Sequence, residues 1–139
     1  AVACFFPPTD FLSWGKDGNV WLGEGPWAKP YRPAFEFWER EKDTNALVLV
    51  TDADKRKAIG KQISPLHQAT KDAAPALIVH GDADKLVPIQ QGEVMAAKLK
   101  EHKVPCELVV KKGADHGWKG IDQDVTAFAD WYDKHLLGK

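Results

Sequence analysis

Two short segments hold the residues best suited to acid–base chemistry. The first runs from Pro75 to Pro88. An apolar stretch, Ala76-Leu-Ile-Val79, leads through His80-Gly81 into a turn that carries Asp82 and Asp84. The second runs from Leu108 to Trp118, where an apolar stretch leads through Lys111-Lys112-Gly113 to Asp115-His116-Gly117. A carboxylate that accepts the Nδ1–H of an imidazole fixes its tautomer and leaves the other nitrogen free to act as a general base. In open α/β sheets, ligands bind outside the carboxyl ends of the strands, and neighbouring parallel strands lie about 4.8 Å apart. An acid just past one strand and a histidine just past the next are therefore within reach of each other. Asp82, Asp84 and Asp115 are the candidate acids. His116 is the candidate base, set between glycines that let the backbone turn tightly.

The elements needed to position these groups can be read from the pattern. Ala1 to Phe6 is a continuous apolar run ended by Pro7-Pro8, which predicts a strand buried on both faces, as in a parallel sheet. The chain starts inside this strand, so one of its edges is expected to lack a partner. Thr9 to Ala74 is mixed. Ala34 to Arg40 reads as a short helix, and Ala46 to Val50 as a short helix or a strand. Thr51 or Asp52 caps a helix over Ala53 to Lys61, which Ser64-Pro65 stops. Ala76 to Val79 and Cys106 to Val110 read as strands. Gln90 to His102 reads as a helix with Val94, Met95, Ala97 and Leu99 on its apolar face. Ile121 to Leu137 predicts an amphipathic helix presenting Ile121, Val125, Phe128, Ala129, Tyr132 and Leu136, with Asp122 and Asp124 suited to its first turn. Alternating strands and helices give the α/β class, with three parallel strands joined by right-handed crossovers. Residues 1–139 form one domain, within which residues 11–74 read as an irregular, partly helical cap inserted between the first two strands.

Composition narrows the function classes. The chain of 139 residues, 44% hydrophobic and 28% charged, has the make-up of one ordinary globular domain. Net charge is -1, with basic and acidic residues interspersed and no basic run, which argues against nucleic acid as a partner. No apolar run approaches the length of a membrane span. Cys4 and Cys106 are too few for a disulfide scaffold and read as small buried residues. A bond between them is disfavoured if the second strand lies between theirs. Four of the six tryptophans (Trp14, Trp21, Trp27 and Trp38) fall in the first third, among Gly and Pro. They suit either the lining of a substrate pocket or the packing of the cap onto the body.

The sequence H-G-x-x-D-x-x-V-P from His80 to Pro88, followed by a helix, a strand and G-x-x-H-G from Gly113 to Gly117, resembles the C-terminal half of the α/β-hydrolase fold. It is most similar to esterases and prolyl-oligopeptidase-type serine hydrolases. The resemblance covers Pro75 to Lys139, with Ala1 to Asp10 similar to the strand after the nucleophile helix. By position it implies that Asp84 is the triad acid and His116 the triad base, in the chain order serine, acid, histidine. Asp82 then bonds the turn backbone, and Asp115, next to His116 in sequence, is badly placed to reach Nδ1. His80 is implied to be structural, and no metal or organic cofactor is implied. The triad explains the spacing of His80, Asp82, Asp84 and His116 better than a metal site does. His67, His102 and His135 read as surface residues.

The chain departs from the family at the nucleophile. Its only serines, Ser13 and Ser64, stand in Leu12-Ser13-Trp14 and Ile63-Ser64-Pro65, and neither matches the G-x-S-x-G elbow. The expectation is the C-terminal part of a serine hydrolase that acts on carboxylic esters or short peptides. Its partner would be a missing N-terminal half, or a second copy joined through the first strand. The alternative is a non-catalytic binding or self-associating domain on the same scaffold.

Overall fold

The computed structural model describes residues 1–21 and 37–138. Three strands form a parallel sheet: β1 (Val2–Phe5), β4 (Ala76–Gly81) and β5 (Cys106–Lys111), in the order β1-β4-β5. Between β1 and β4 lie a small antiparallel hairpin, β2 (Trp38–Arg40) and β3 (Leu47–Leu49), and two helices, α1 (Ala53–Ile63) and α2 (Pro65–Gln68). Helix α3 (Gln90–Glu101) crosses over from β4 to β5. After β5 come a 3₁₀ turn (Ile121–Asp124), α4 (Val125–Tyr132) and a π-helical turn (Asp133–Leu137).

The central strand β4 is buried at every position, because both its faces are covered. Period-two alternation sends Leu77 and Val79 to one side, where they pack with Trp131, Phe128, Phe5 and Val109. Ala76 and Ile78 face α3, whose Leu99 closes a cluster with Ala76 and Val104. Burying Ile78, Val79 and Leu99, each about 1% exposed, contributes roughly 1.5–3 kcal/mol apiece. Leu99→Ala would cost about 2–5 kcal/mol. A third cluster joins Phe11, Trp14 and Val87 beneath the loop that follows β4. There Trp14 stacks on Trp21 at 4.1 Å, so these two tryptophans pack the body; Trp27 lies outside the described residues.

Several expectations are corrected. β1 is not buried on both faces: it is an edge strand among the described residues, and its Val2 is exposed. Its Val2 and Phe6 N–H groups point to β4, bonding Pro75 O and Val79 O, so Ala3 N–H points to the open edge. There it donates to the Tyr132 hydroxyl at 3.2 Å. Trp38–Arg40 is a strand rather than part of a helix, because Asn45, at φ 56°, turns the chain back so that Trp38 pairs with Leu49; residues 34–36 lie outside the described residues. Asp52 caps α1 through Lys55 N–H at 2.7 Å.

The C-terminal helix buries a different face from the one expected. Trp131 is the buried residue of α4, with Phe128 half-buried and Val125, Tyr132 and Leu136 exposed. The less exposed positions are Ile121, Asp124, Phe128, Trp131 and His135, a stripe of the same 3, 4 spacing as the expected one but turned about the helix to put Trp131 inward.

Candidate active site

Three loops meet at the carboxyl ends of β1, β4 and β5. The loop after β4 carries Asp84, whose carboxylate is fully buried. Its Oδ1 accepts the Leu86 and Val87 N–H groups, both at 2.8 Å. That pins the acid from below and turns Oδ2 toward His116 Nδ1, 2.9 Å away. A carboxylate only accepts, so Nδ1–H donates and Nε2 is the nitrogen left to take a proton. The His116 side chain is 31% exposed, enough to meet another group while its partner stays out of water.

The two other candidate acids hold the loops together. Asp82 Oδ1 accepts Gly113 N–H at 2.6 Å. Asp115 Oδ1 accepts Lys85 N–H at 3.0 Å and His116 N–H at 2.8 Å, and its Oδ2 lies 3.2 Å from Lys85 Nζ. These bonds, that from the Lys85 backbone first, hold the Asp115 carboxyl down at about 2. Ala83 N–H also donates to Ala114 O at 3.0 Å. Gly81 permits this close crossing, since a Cβ there would stand 2.3 Å from Ala114 O.

His80 is completely buried in β4. Its Nε2 lies 2.8 Å from Val87 O and 3.5 Å from Asp84 Oδ2. A carbonyl can only accept, so Nε2 carries the proton, and His80 closes the acid loop from inside. Among the described residues its Nδ1 has no hydrogen-bond partner. Gly92 of α3 comes so near that a Cβ would lie 3.0 Å from that nitrogen.

Aromatic residues wall the other side. Phe6, just past β1, lies with its ring centroid 4.0 Å from that of His116. Trp118 packs edge-on to Phe5 and Phe6 and donates its indole N–H to Asp124 at 2.8 Å. Lys111 Nζ bonds the same carboxylate at 2.5 Å and is the main reason it is held below the usual carboxylate range. Sequence reasoning missed Phe6, which reads as the last residue of a strand; the Pro7-Pro8 that follows it was the available signal of a special backbone.

His67 is exposed, as expected, and its Nε2 lies 3.4 Å from Asp10 Oδ1. His135 packs on Trp131 at 4.1 Å. Both cysteines are free and stand on strands separated by β4. Burial pushes the Cys4 thiol up to about 11 and raises that of Cys106 as well. Ser13 bonds Asp17 in a surface turn, and Ser64, wholly buried, donates to Gly60 O. Among the described residues no group of three or more His, Cys, Asp or Glu could hold a metal ion, and no helix is long and apolar enough to cross a membrane.

Known proteins agree with this architecture. The chain is similar to esterase LipC of Mycobacterium tuberculosis, with 26% identity over 95 residues, covering 67% of this chain and 22% of the esterase. A solved truncated form of a carbohydrate esterase from gut microbiota matches with TM-score 0.63 at 21% identity, over 93% of this chain and 41% of that one. Thermogutta terrifontis esterase 2 phosphonylated by sarin matches with TM-score 0.60 at 23% identity, over 98% of this chain and 42% of that one. These structures share the fold, and the chain spans less than half the length of any of the three proteins. The model of the prolyl oligopeptidase family matches residues 44–139, well over half of the chain. The chain belongs to the prolyl oligopeptidase family, on an α/β-hydrolase fold.

Proposed function

We propose that Asp84 and His116 are the acid and base of a serine hydrolase triad. On this reading His116 Nε2 takes the proton of an attacking serine hydroxyl and returns it to the leaving group. Asp84 keeps the imidazole in the Nδ1–H tautomer and stabilises the imidazolium. The observation that carries the reading is the 2.9 Å contact between a buried carboxylate and Nδ1 of a half-exposed histidine. Carboxylic esters are the proposed substrates, with short peptides as the second class. Similarity to LipC and to the esterase folds supports esters, and the family supports peptides.

Neither serine of these 139 residues stands in an elbow. We therefore assign the nucleophile to a segment outside them, whose strands would continue the sheet along the open edge of β1. Residues 11–74 would form a cap over the completed site. The reading frame upstream of Ala1 is the first test, since it should encode a Gly-x-Ser-x-Gly elbow. The second is turnover of p-nitrophenyl acetate, expected with that segment and absent without it. Full turnover after His116→Ala would sink the assignment.

A specific observation favours a second reading, a self-associating domain. Trp38 and Leu47 on the hairpin are 55% and 59% exposed, and Leu136 is 62% exposed. Analytical ultracentrifugation separates the two: a concentration-dependent dimer together with no upstream elbow supports association. Pairing through the open edge of β1 is another route to a dimer; like the pairing of further strands there, it would displace the Tyr132 hydroxyl from the Ala3 N–H.

A further inference from the structure

We propose that Phe6 is a positioning residue for His116, and that its strained backbone exists to put its ring there. The proposal rests on the reading of Asp84 and His116 above. Phe6 has φ 35°, in the left-handed region that bulky residues rarely enter. Pro7 follows it, and a residue before proline is pushed toward extended backbone. Two local preferences are therefore overridden at one position, while the Phe6 N–H still bonds Val79 O at 2.9 Å as the last rung of the β1–β4 ladder. Strain of this kind persists only where the surroundings over-determine it, and it collects at functional sites.

The geometry shows what the strain achieves. In extended backbone, successive side chains point to opposite faces. Here Phe5 and Phe6 are stacked, their centroids 5.9 Å apart and their planes at 30°. The left-handed turn breaks the alternation and swings the Phe6 ring around to the histidine. It lies over the imidazole at 4.0 Å and 44°, with Trp118 edge-on at 6.2 Å and His80 at 6.4 Å. A single hydrogen bond from Nδ1 to Asp84 leaves the imidazole free to rock about that bond. A ring against its face removes the remaining freedom and fixes the direction of Nε2. The π face is also favourable to the imidazolium that forms when Nε2 takes a proton.

The test uses the 139-residue chain with ¹⁵N-labelled histidine and needs no turnover. Long-range ¹H–¹⁵N spectra report the Nδ1–H of His116 and its exchange with water, and the ring current of Phe6 shifts the carbon-bound ring protons of His116. Phe6→Leu should abolish that ring-current shift and speed Nδ1–H exchange by about three- to tenfold. Phe6→Tyr should keep both near wild type. Phe6→Gly accepts a positive φ without strain, so it keeps the turn, is the variant most certain to fold, and should behave like Phe6→Leu. Wild-type exchange in Phe6→Gly would mean that only the turn matters and would overturn the proposal. Asp84→Asn is the separate control. A wild-type Nδ1–H that is unprotected, or unmoved by Asp84→Asn, sinks the Asp84–His116 reading and this proposal with it. A protected proton that responds to Asp84→Asn but not to loss of the Phe6 ring sinks this proposal alone.

Discussion

Two of the Asp–His contacts among the described residues pair a buried acid with a part-exposed histidine. Asp84 meets His116 through Nδ1 at 2.9 Å, and Asp10 meets His67 through Nε2 at 3.4 Å. In both, the acid is buried and the histidine is about 30% exposed. They differ in what holds them. Asp84 is pinned by two backbone N–H groups in a loop past the central strand, and His116 arrives from the neighbouring strand on a loop stitched to it. Asp10 caps its own turn through Leu12 N–H at 2.9 Å, beside a buried amide hub in which Gln91 Oε1 accepts the Thr9 and Asp10 N–H groups at 2.8 and 2.7 Å. On the proposed reading, what separates the pairs is which nitrogen the acid engages: Nδ1 in His116, which leaves Nε2 to take a proton, and Nε2 in His67.

Removing each histidine should separate the pairs most sharply. In a polypeptide that also carries the elbow serine, His116→Ala should lower kcat for p-nitrophenyl acetate by about 10⁴-fold or more, whereas His67→Ala should leave it unchanged. Equal losses would erase the distinction. The reverse effect belongs to the hub. Gln91→Ala leaves two buried N–H groups without an acceptor and should cost about 2–4 kcal/mol in urea unfolding, with the His116 Nδ1–H signal intact. Gly81→Ala tests the stitching: the clash with Ala114 O should cost about 1–3 kcal/mol and disturb that same signal, which distinguishes it from Gln91→Ala.

The smallest effect is electrostatic. Asp115 is held at about 2, against about 4 in an unfolded chain. The stability it contributes is complete above about pH 4 and is lost as pH falls through about 2. Thermal midpoints of Asp115→Asn should therefore fall less steeply than wild type between those values, and identical slopes would rule out the loop stitch as their source.

The strands that carry the site were legible, because β4 and β5 are apolar runs closed by residues of unusual composition. His116 and a carboxylate in the turn after β4 stood out for the same reason, while the choice of Asp84 over Asp82 and Asp115 rests on the resemblance of His80 to Pro88 to the hydrolase pattern. The hairpin was not legible, since Trp38-Glu39-Arg40 is too short to show a period and its pairing with Leu47–Leu49 depends on one left-handed asparagine. Trp131 was missed because Ile121 and Phe128 belong to two overlapping stripes of equal period, and the sequence pattern favours the one through Val125, Tyr132 and Leu136, which the fold leaves exposed. Phe6 left only the following Pro7-Pro8 as a signal, and the Asp10–His67 contact lies beyond local pattern altogether. The first depends on a backbone angle that its own sequence disfavours, and the second joins residues separated by the whole hairpin and α1.

The raised thiol of Cys4 makes the first strand a timekeeper. With its proton held to about pH 11, the thiolate is a small minority at pH 7. Peroxide and alkylating reagents then meet an inert group as long as β1 stays in the sheet. Once the strand peels away, the same sulfur becomes an ordinary cysteine, so its rate of labelling measures how often this edge of the hydrolase sheet lets go.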